Sequence, residues 1–224
     1  MRDFHLPGRS PVFAQNGLCA TSHPLAAKTA INILERGGNA MDAAIAGAVL
    51  LGLCEPQMTG IGGDCFVLFS PAGTDKIKAM NGSGKAPMGL SAQMMRNKGY
   101  SVIPTESVDA VTIPGAIDAF CQLSNDWGTL GLDAILAPAI KYAREGVPVA
   151  PKVAYDWSSA VHRLHDSATS KFSQAGKALK VGDIFVAPGQ AEVLENIALK
   201  GRDGFYRGNV AEDMVTSLQA LGGA

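Results

Sequence analysis

The sequence predicts a mixed α/β fold in which helices outnumber strands and the sheet is incomplete within this chain. Most periodic segments repeat apolar residues at helical spacing, and only a few short runs have the character of strands. A glycine-dense turn at residues 60–63 joins a buried-looking helix to a strand, so that neighbouring backbone or a ligand can come close. We expect one layered domain over residues 1–224.

The composition indicates that the chain has few charged residues with which to cover a solvent-exposed surface. Charged residues make up 17% of the sequence and hydrophobic residues 47%, whereas soluble domains typically have roughly 25% charged residues. This balance favours one half of an assembly over a free monomer. The net charge is −1, and the lysines and arginines are scattered rather than clustered. Nucleic acid and acidic membrane surfaces are therefore not expected as partners.

The chain shows no pattern of export or membrane insertion. Residues 1–8 lack the apolar segment of a secretory signal, and the longest apolar run, residues 40–53, is too short to span a bilayer. The four cysteines lie far apart and form no Cys-x-x-Cys pair, a spacing typical of reduced thiols. We therefore predict a cytoplasmic location.

The first elements predicted are a short strand and two helices. Residues 18–21 favour a strand, and Ser22 follows as a candidate N-cap of the first helix. The pair Gly37-Gly38 ends that helix, where a left-handed residue is commonly required. Asn39 then caps a second helix, which is apolar on nearly every face and is expected to be buried all round.

The rest of the chain predicts a hairpin, one further strand and several helices. Strands at 65–70 and 76–80 are joined by turn residues at 71–74, and another strand is expected at 108–113. Pro138 should kink its helix or mark a tight start, and the polar stretch 171–180 is expected to be a surface loop. The helices are predicted at residues 114–123, 132–144, 190–200 and 210–221.

Two segments resemble phosphate-binding loops but lack residues or spacing that those loops require. Residues 82–85 have the Gly-Ser-Gly-Lys ending of a Walker loop, but Ala79 replaces its first glycine, and Ala86 stands where a hydroxyl must hold magnesium. The turn at 60–63 lacks the G-x-G-x-x-G spacing and precedes a strand instead of opening a helix. We predict no cofactor.

No residue of the chain is a convincing nucleophile. A hydroxyl or thiol attacks only when a base helps to remove its proton, and the cysteines lie in apolar contexts that disfavour a thiolate. Ser22 and His23 are adjacent in sequence, which is not the geometry of a catalytic triad, so Ser22 is expected to act as a cap. His162 and His165 could share a helical face, but without a third ligand we expect a solvated pair and no metal site.

Three acidic residues, Asp42, Glu55 and Asp64, lie near the glycine turn in sequence. Any of them could orient the amine of a substrate. Helix capping or a structural ion pair is the simpler expectation for each one.

Eight short motifs resemble the large subunit of the gamma-glutamyltranspeptidase family and follow one another in the same order as in that family. Each motif is weak alone, but eight in register make coincidence an unsatisfactory explanation. The resemblance implies the αββα sandwich of the N-terminal-nucleophile hydrolases, with this chain as the large-subunit part only. The motifs lie at residues 20–26, 37–44, 60–66, 81–87, 111–115, 136–140, 143–146 and 203–208.

The resemblance also implies how such an enzyme matures and reacts. A precursor cuts itself before a threonine, and the freed threonine acts as nucleophile with its own α-amine as base. The partner implied is therefore a C-terminal small subunit that carries the threonine and the oxyanion donors. No catalytic residue is expected within this chain.

The segment 81–87 departs from the transpeptidases at one position. Their arginine, whose fork pairs with both oxygens of the glutamyl α-carboxylate, falls at Ser83 in this sequence. Lys85 would point to the same side of an extended segment and could replace it loosely. The form Asn81-Gly82-Ser83-Gly84 looks more like the related amidohydrolases and acylases. We expect Asn81, Ser83 and Lys85 to bind substrate, and the reaction to be hydrolysis of a small amide.

Two alternatives stay open. A gamma-glutamyl transferase or hydrolase acting on glutathione-like substrates would need Lys85, or a residue of the small subunit, in place of the missing arginine. An inactive subunit that only binds a partner would equally lack the threonine segment.

Overall fold

The computed structural model of the protein describes residues 11–164 and 166–223. His165 and residues 1–8, on which the predictions of a histidine pair and of no signal sequence depend, lie outside the described residues. The strands are β1 (Cys65–Phe69), β2 (Lys78–Gly82), β3 (Val147–Pro148) and β4 (Ile184–Phe185). The α-helices are α1 (Pro24–Glu35), α2 (Ala40–Cys54), α3 (Ala92–Asn97), α4 (Ala116–Trp127), α5 (Leu132–Glu145), α6 (Pro151–Ala160), α7 (Asp166–Phe172), α8 (Pro188–Lys200), α9 (Asp203–Tyr206) and α10 (Asn209–Ala220).

The hydrophobic core is helical and surrounds α2. This helix packs against α1, α4 and α5, and α5 packs in turn against α8. The side chains of Ile45 and Leu50 in α2 and of Leu194 in α8 are fully buried. Each buried side chain of this size stabilises the fold by about 1.5–3 kcal/mol relative to exposure. Eleven of the 15 residues of α2 are buried, but Ala44 and Ala48 are exposed, so the prediction that this helix is buried all round is wrong along one narrow face.

The N-terminus of α2 is fixed by a reciprocal capping box. Asn39 Oδ1 accepts hydrogen bonds from the backbone N–H groups of Met41 and Asp42 at 2.9 and 3.1 Å, and Asp42 Oδ2 accepts from Asn39 N–H at 2.9 Å. The fully buried Asp42 also accepts from the N–H groups of Thr129 at 2.9 Å and Leu130 at 3.3 Å. The predicted cap is confirmed, and Asp42 has the structural role of tying α2 to the α4–α5 connection.

The predicted hairpin is confirmed as an antiparallel ribbon of β1 and β2, with Cys65 opposite Gly82. The second strand begins two residues later than predicted. The ring of Phe69 on one face of the ribbon packs edge-on against Trp127 of α4, with 5.1 Å between ring centroids. Among the described residues neither strand has a second neighbour. A two-stranded ribbon is only marginally stable by itself, so the core face contributes much of its stability.

Two of the predicted strands are wrong. Residues 18–21 are irregular, and the stretch 108–113 begins with a 3₁₀ turn at Val108–Ala110. Apolar and β-branched residues form a strand only where another strand offers a pairing edge. Within the described part of the chain, 18–21 finds none, and the second stretch makes one backbone bond of this kind, from Ile113 N–H to the Lys85 carbonyl at 2.9 Å.

The predicted helices are all present, with shifts at their ends. The helix expected from residue 114 begins at Ala116, and α5 continues through Pro138 from Leu132 to Glu145. The stretch 171–180 is irregular after α7 ends at Phe172. In the described part of the chain, no helix combines the length and the apolar character that crossing a membrane requires.

Candidate functional site

A cleft of about 350 Å³ lies between the end of β2, the start of α4 and the residues around α9. It brings together the three residues predicted to bind substrate, although they are joined there by others that sequence reasoning missed. The polar side chains that line it are Asn81, Ser83, Lys85, Asp118, Gln122, Arg202 and Tyr206.

One wall of the cleft consists of closely apposed backbone. A Cβ atom on Gly84 would lie 1.5 Å from the carbonyl oxygen of Ile113, and one on Gly115 would lie 2.1 Å from that of Gly82. Such contacts exclude every residue except glycine. Two backbone segments therefore lie in close contact at Gly84 and Gly115.

The glycine turn at residues 60–63 supports this wall from behind. The Gly63 carbonyl accepts hydrogen bonds from the N–H groups of Gly115 at 2.9 Å and Ala116 at 3.1 Å, which start α4. Cβ atoms built on Gly60 and Gly62 would meet nothing within 4 Å. Within the described residues, the turn thus positions α4 through the Gly63 carbonyl, and the backbone of α2 approaches it as predicted, since a Cβ atom on Gly52 would lie 3.2 Å from Gly60 Cα.

Asn81, Ser83 and Lys85 lie on the same side of the chain. All three are exposed, whereas the intervening Gly82 and Gly84 are half-buried, the alternation of an extended segment. Asn81 Oδ1 accepts a hydrogen bond from Ser83 N–H at 2.9 Å, which fixes the start of the segment. Among the described residues Lys85 takes part in no ion pair.

Arg202 and Tyr206 form the opposite side of the cleft. Arg202 Nε donates to Asp118 Oδ1, and the guanidinium lies over the Tyr206 ring, 4.7 Å from its centroid. The Tyr206 hydroxyl donates to the Pro114 carbonyl at 2.6 Å and accepts from Asp118 N–H at 3.0 Å. The hydrogen bond with Asp118 raises the pKa of Arg202, and burial raises the pKa of Tyr206. The guanidinium is therefore charged and the phenol neutral at ordinary pH.

Arg202 was missed because its partners are distant in sequence. Asp118 is 84 residues away, and no periodicity relates the two positions. The available signal was the motif at 203–208, which contains Tyr206 and directly follows Arg202.

Ser22, His23 and Glu55 form a second polar cluster, but not a triad. In a triad an imidazole stands between hydroxyl and carboxylate; here Ser22 Oγ donates directly to Glu55 Oε2 at 2.8 Å. His23 Nδ1 instead accepts from Leu25 N–H at 3.2 Å, so His23 caps α1 and the predicted cap at Ser22 is wrong. Burial lowers the pKa of His23, which keeps the imidazole neutral.

The remaining candidate groups offer no activated nucleophile or metal site among the described residues. All four cysteines are free. Burial raises the pKa of Cys54 to about 12, that of Cys121 to about 11, and that of Cys65 above its ordinary value. No cluster of three metal-ligating side chains occurs in the part of the chain that is described. Asp64 is exposed beside the glycine turn.

Comparison with known proteins places these features in one family. The family described as Gamma-glutamyltranspeptidase matches residues 26–224. A glutathione hydrolase-like YwrD proenzyme of Bacillus subtilis is 35% identical over 94% of this chain and 40% of its own length. An oxamate amidohydrolase proenzyme of Klebsiella pneumoniae is 34% identical over 92% of this chain and 40% of its own. The chain thus spans about two fifths of the length of these curated relatives.

Solved structures show the same fold. Cephalosporin acylase from Bacillus halodurans superposes with a TM-score of 0.90 and 41% identity, over 99% of this chain and 43% of that one. Gamma-glutamyltranspeptidase from Helicobacter pylori gives a TM-score of 0.88 and 31% identity, over 96% of this chain and 63% of that one. These similarities confirm the predicted fold class, an α/β structure of the N-terminal-nucleophile hydrolase type represented by its large-subunit part.

Proposed function

Because the chain belongs to the gamma-glutamyltranspeptidase family, we propose that it is the large-subunit portion of an amidohydrolase that cleaves a small amide. The nucleophile is a threonine at the N-terminus of a C-terminal small subunit, which arises from the same precursor by self-cleavage. The names of the relatives, which are proenzymes, support this arrangement.

The observation that carries the proposal is that the cleft opens beside an exposed apolar face. Phe66 and Leu68, on the outer face of β1, are 65% and 76% exposed. Asn81, a lining residue of the cleft, stands directly opposite Phe66 in the ribbon. Apolar surface of this kind is typical of a protein interface. We propose that the small subunit covers this face, with its first residue next to the cleft.

The chemistry of the described residues supports a nucleophile from outside this chain. Its buried thiols are protonated at neutral pH, and the Ser22 hydroxyl has no basic imidazole as partner. An N-terminal threonine carries its own base: the α-amine takes the hydroxyl proton while the oxygen attacks the amide carbon. The proton then passes to the leaving amine, and water hydrolyses the resulting ester to release the acid and restore the threonine.

The neutral side chain at Ser83 supports an acyl group other than glutamyl. Serine lacks the charge and the fork with which an arginine holds the glutamyl carboxylate. Relatives named as an oxamate amidohydrolase and a cephalosporin acylase, at 34% and 41% identity, support a non-glutamyl amide.

Gamma-glutamyl transfer or hydrolysis is the second candidate. It is supported by relatives named glutathione hydrolase at 31–35% identity and by Lys85, which lies on the same side of the segment as Ser83. In this candidate the lysine replaces the family arginine as a single point charge. If the precursor shows neither activity, the remaining alternative is an inactive subunit that only binds a partner.

The test compares the full precursor with the 224-residue chain alone. We expect self-cleavage and amide hydrolysis from the precursor and no turnover by the isolated chain; turnover by the isolated chain would contradict the two-subunit proposal. In the precursor, Ser83→Arg should increase the rate on glutamyl anilides relative to simple amides. Ser101→Arg, at an exposed position outside the cleft, is the control and should leave that ratio unchanged.

We also propose a cytoplasmic location, supported by the four free cysteines. Fractionation of the source cells with an antibody against the large subunit tests it, and recovery from the medium or the cell envelope contradicts it.

A further inference from the structure

We propose that Arg202 is a specificity-determining residue that binds an anionic group of the substrate, so that the preferred amide carries a carboxylate on its acyl part. The inference rests on the proposed amidohydrolase function and names the substrate class of that same cleft. It is carried by how the guanidinium is held and by which of its nitrogen atoms remain available.

The guanidinium is held in place from two sides. Its Nε is engaged by Asp118, and its plane lies over Tyr206, whose hydroxyl is itself fixed by Pro114 and Asp118. A positioned guanidinium loses little conformational entropy when it binds a ligand, which favours affinity. The side chain is 54% exposed, so a ligand can reach it.

The terminal nitrogens of Arg202 are not used by the described residues. Only Nε donates to protein there, which leaves Nη1 and Nη2 with their N–H groups available to the cleft. Arg144 provides the contrast, because its Nε and Nη2 both donate to the carboxylate of Glu195, at 2.7–2.9 Å, in a bidentate ion pair. A carboxylate is the ligand that matches two parallel N–H donors of a guanidinium.

The charge of the cleft supports the same ligand. Two cations, Lys85 and Arg202, face one carboxylate, Asp118, so the lining carries a net positive charge. A neutral amide gains nothing from this excess, whereas an anionic amide is attracted by it. Asp118 serves to orient the guanidinium rather than to neutralise the cleft.

The position of Arg202 distinguishes this cleft from one built for a glutamyl group. The family arginine falls at Ser83, on the segment that follows β2, whereas Arg202 precedes α9 on the opposite side. A cation at this different place would bind a carboxylate that is placed differently on the acyl group from the glutamyl α-carboxylate, and we take the monoamide of a short dicarboxylic acid as its representative.

The experiment uses the self-cleaved full-length enzyme and a matched pair of substrates, the monoanilide of glutaric acid and its neutral methyl ester. The wild type should prefer the anionic anilide. Arg202→Gln should raise KM for it about 10- to 100-fold, with little change in kcat or in the kinetics of the ester, since a charge-assisted hydrogen bond is lost. Arg202→Lys, which keeps the charge and loses the fork, should fall between the two.

Arg207→Gln is the matched control, because Arg207 is an exposed neighbour paired with Asp203 and lies outside the cleft lining. Equal effects of Arg202→Gln on both anilides, or a wild-type preference for the ester, overturn the inference. If the wild type hydrolyses neither anilide, the failure bears on the proposed function, and calorimetric titration with glutarate decides the inference instead. Binding to the wild type that weakens at least tenfold in Arg202→Gln supports it, and equal or absent binding overturns it.

Discussion

The helical core around α2 and the cleft beside it are held together by different kinds of contact. The core is closed by apolar side chains and by the fully buried carboxylate of Asp42, which accepts hydrogen bonds from two separate stretches of backbone. The cleft is held by backbone against backbone at Gly84 and Gly115. The core should therefore be sensitive to lost polar partners and the cleft wall to added atoms.

The largest effect is expected when Asp42 is replaced in the core. Asp42→Ala leaves the N–H groups of Asn39, Thr129 and Leu130 without their acceptor inside the protein. We expect a loss of about 3 kcal/mol or more in the free energy of unfolding, because each buried donor without a partner is costly. Guanidinium-induced unfolding of the mature protein at fixed concentration measures it, with Asp213→Ala, an exposed acid of α10, as control. A loss below 1 kcal/mol would break the contrast drawn above.

A somewhat smaller effect on stability is expected from one added methyl group in the cleft wall. Gly84→Ala places a carbon atom against the Ile113 carbonyl and forces the segment 81–85 away from 113–115. The cost is about 1–3 kcal/mol, as for other overpacked sites, with loss of most of the proposed amidase activity. Gly62→Ala, whose new methyl group meets nothing within 4 Å, should be nearly neutral in both assays. If the two variants behave alike, the backbone of the cleft wall can move to accommodate the methyl group at little cost in free energy.

The core should also become less stable as the pH rises, because the buried thiol of Cys54 resists ionisation in the folded state. Burial raises the pKa of Cys54 from its ordinary value of 9.0 to about 12. Below pH 9 the thiol is protonated in both folded and unfolded states; above it only the unfolded state ionises, so this contribution to stability is lost between pH 9 and 12. The slope is about 1.4 kcal/mol per pH unit. Unfolding free energies at pH 8, 9 and 10 should fall less steeply for Cys54→Ala than for the wild type, and parallel curves would count against it.

The smallest effect is expected at the surface of the core. Lys141 and Glu145 form an exposed pair on α5, with 3.7 Å between Nζ and Oε2. Lys141→Gln should cost about 0.3–0.5 kcal/mol at low ionic strength and nothing measurable in 1 M salt, because exposed charges are screened. Thermal unfolding at the two salt concentrations measures the difference. A loss that persists in high salt would point to packing by the lysine stem.

The two regions also differ in how well they could be predicted from sequence. The helices of the core follow from apolar periodicity, and the cap at Asn39 follows from its position after two glycines. The predictions failed where a partner distant in sequence decides the outcome. Residues 18–21 have the composition of a strand but find no pairing edge among the described residues, and Ser22 donates a hydrogen bond to Glu55, 33 residues away, instead of capping α1.

The candidate site was predictable on one side only. Asn81, Ser83 and Lys85 lie on one continuous segment, and a family-like motif marked that segment. Arg202 and Asp118 come from separate helical regions, and their meeting depends on how α4 and α9 pack, which no local pattern encodes. The need for glycine at 84 and 115 likewise arises from contact between two segments.

The hydroxyl of Tyr206 has a consequence for the order in which the protein is made. It joins Pro114 and Asp118 across 92 and 88 residues of chain, so one side of the cleft is synthesised long before the other. While the ribosome is still translating the intervening stretch, α4 has no tyrosine to bind and the cleft has no far wall. The helices around α2 can associate earlier, from segments already outside the exit tunnel, and the cleft is among the last parts of this chain to assemble during translation.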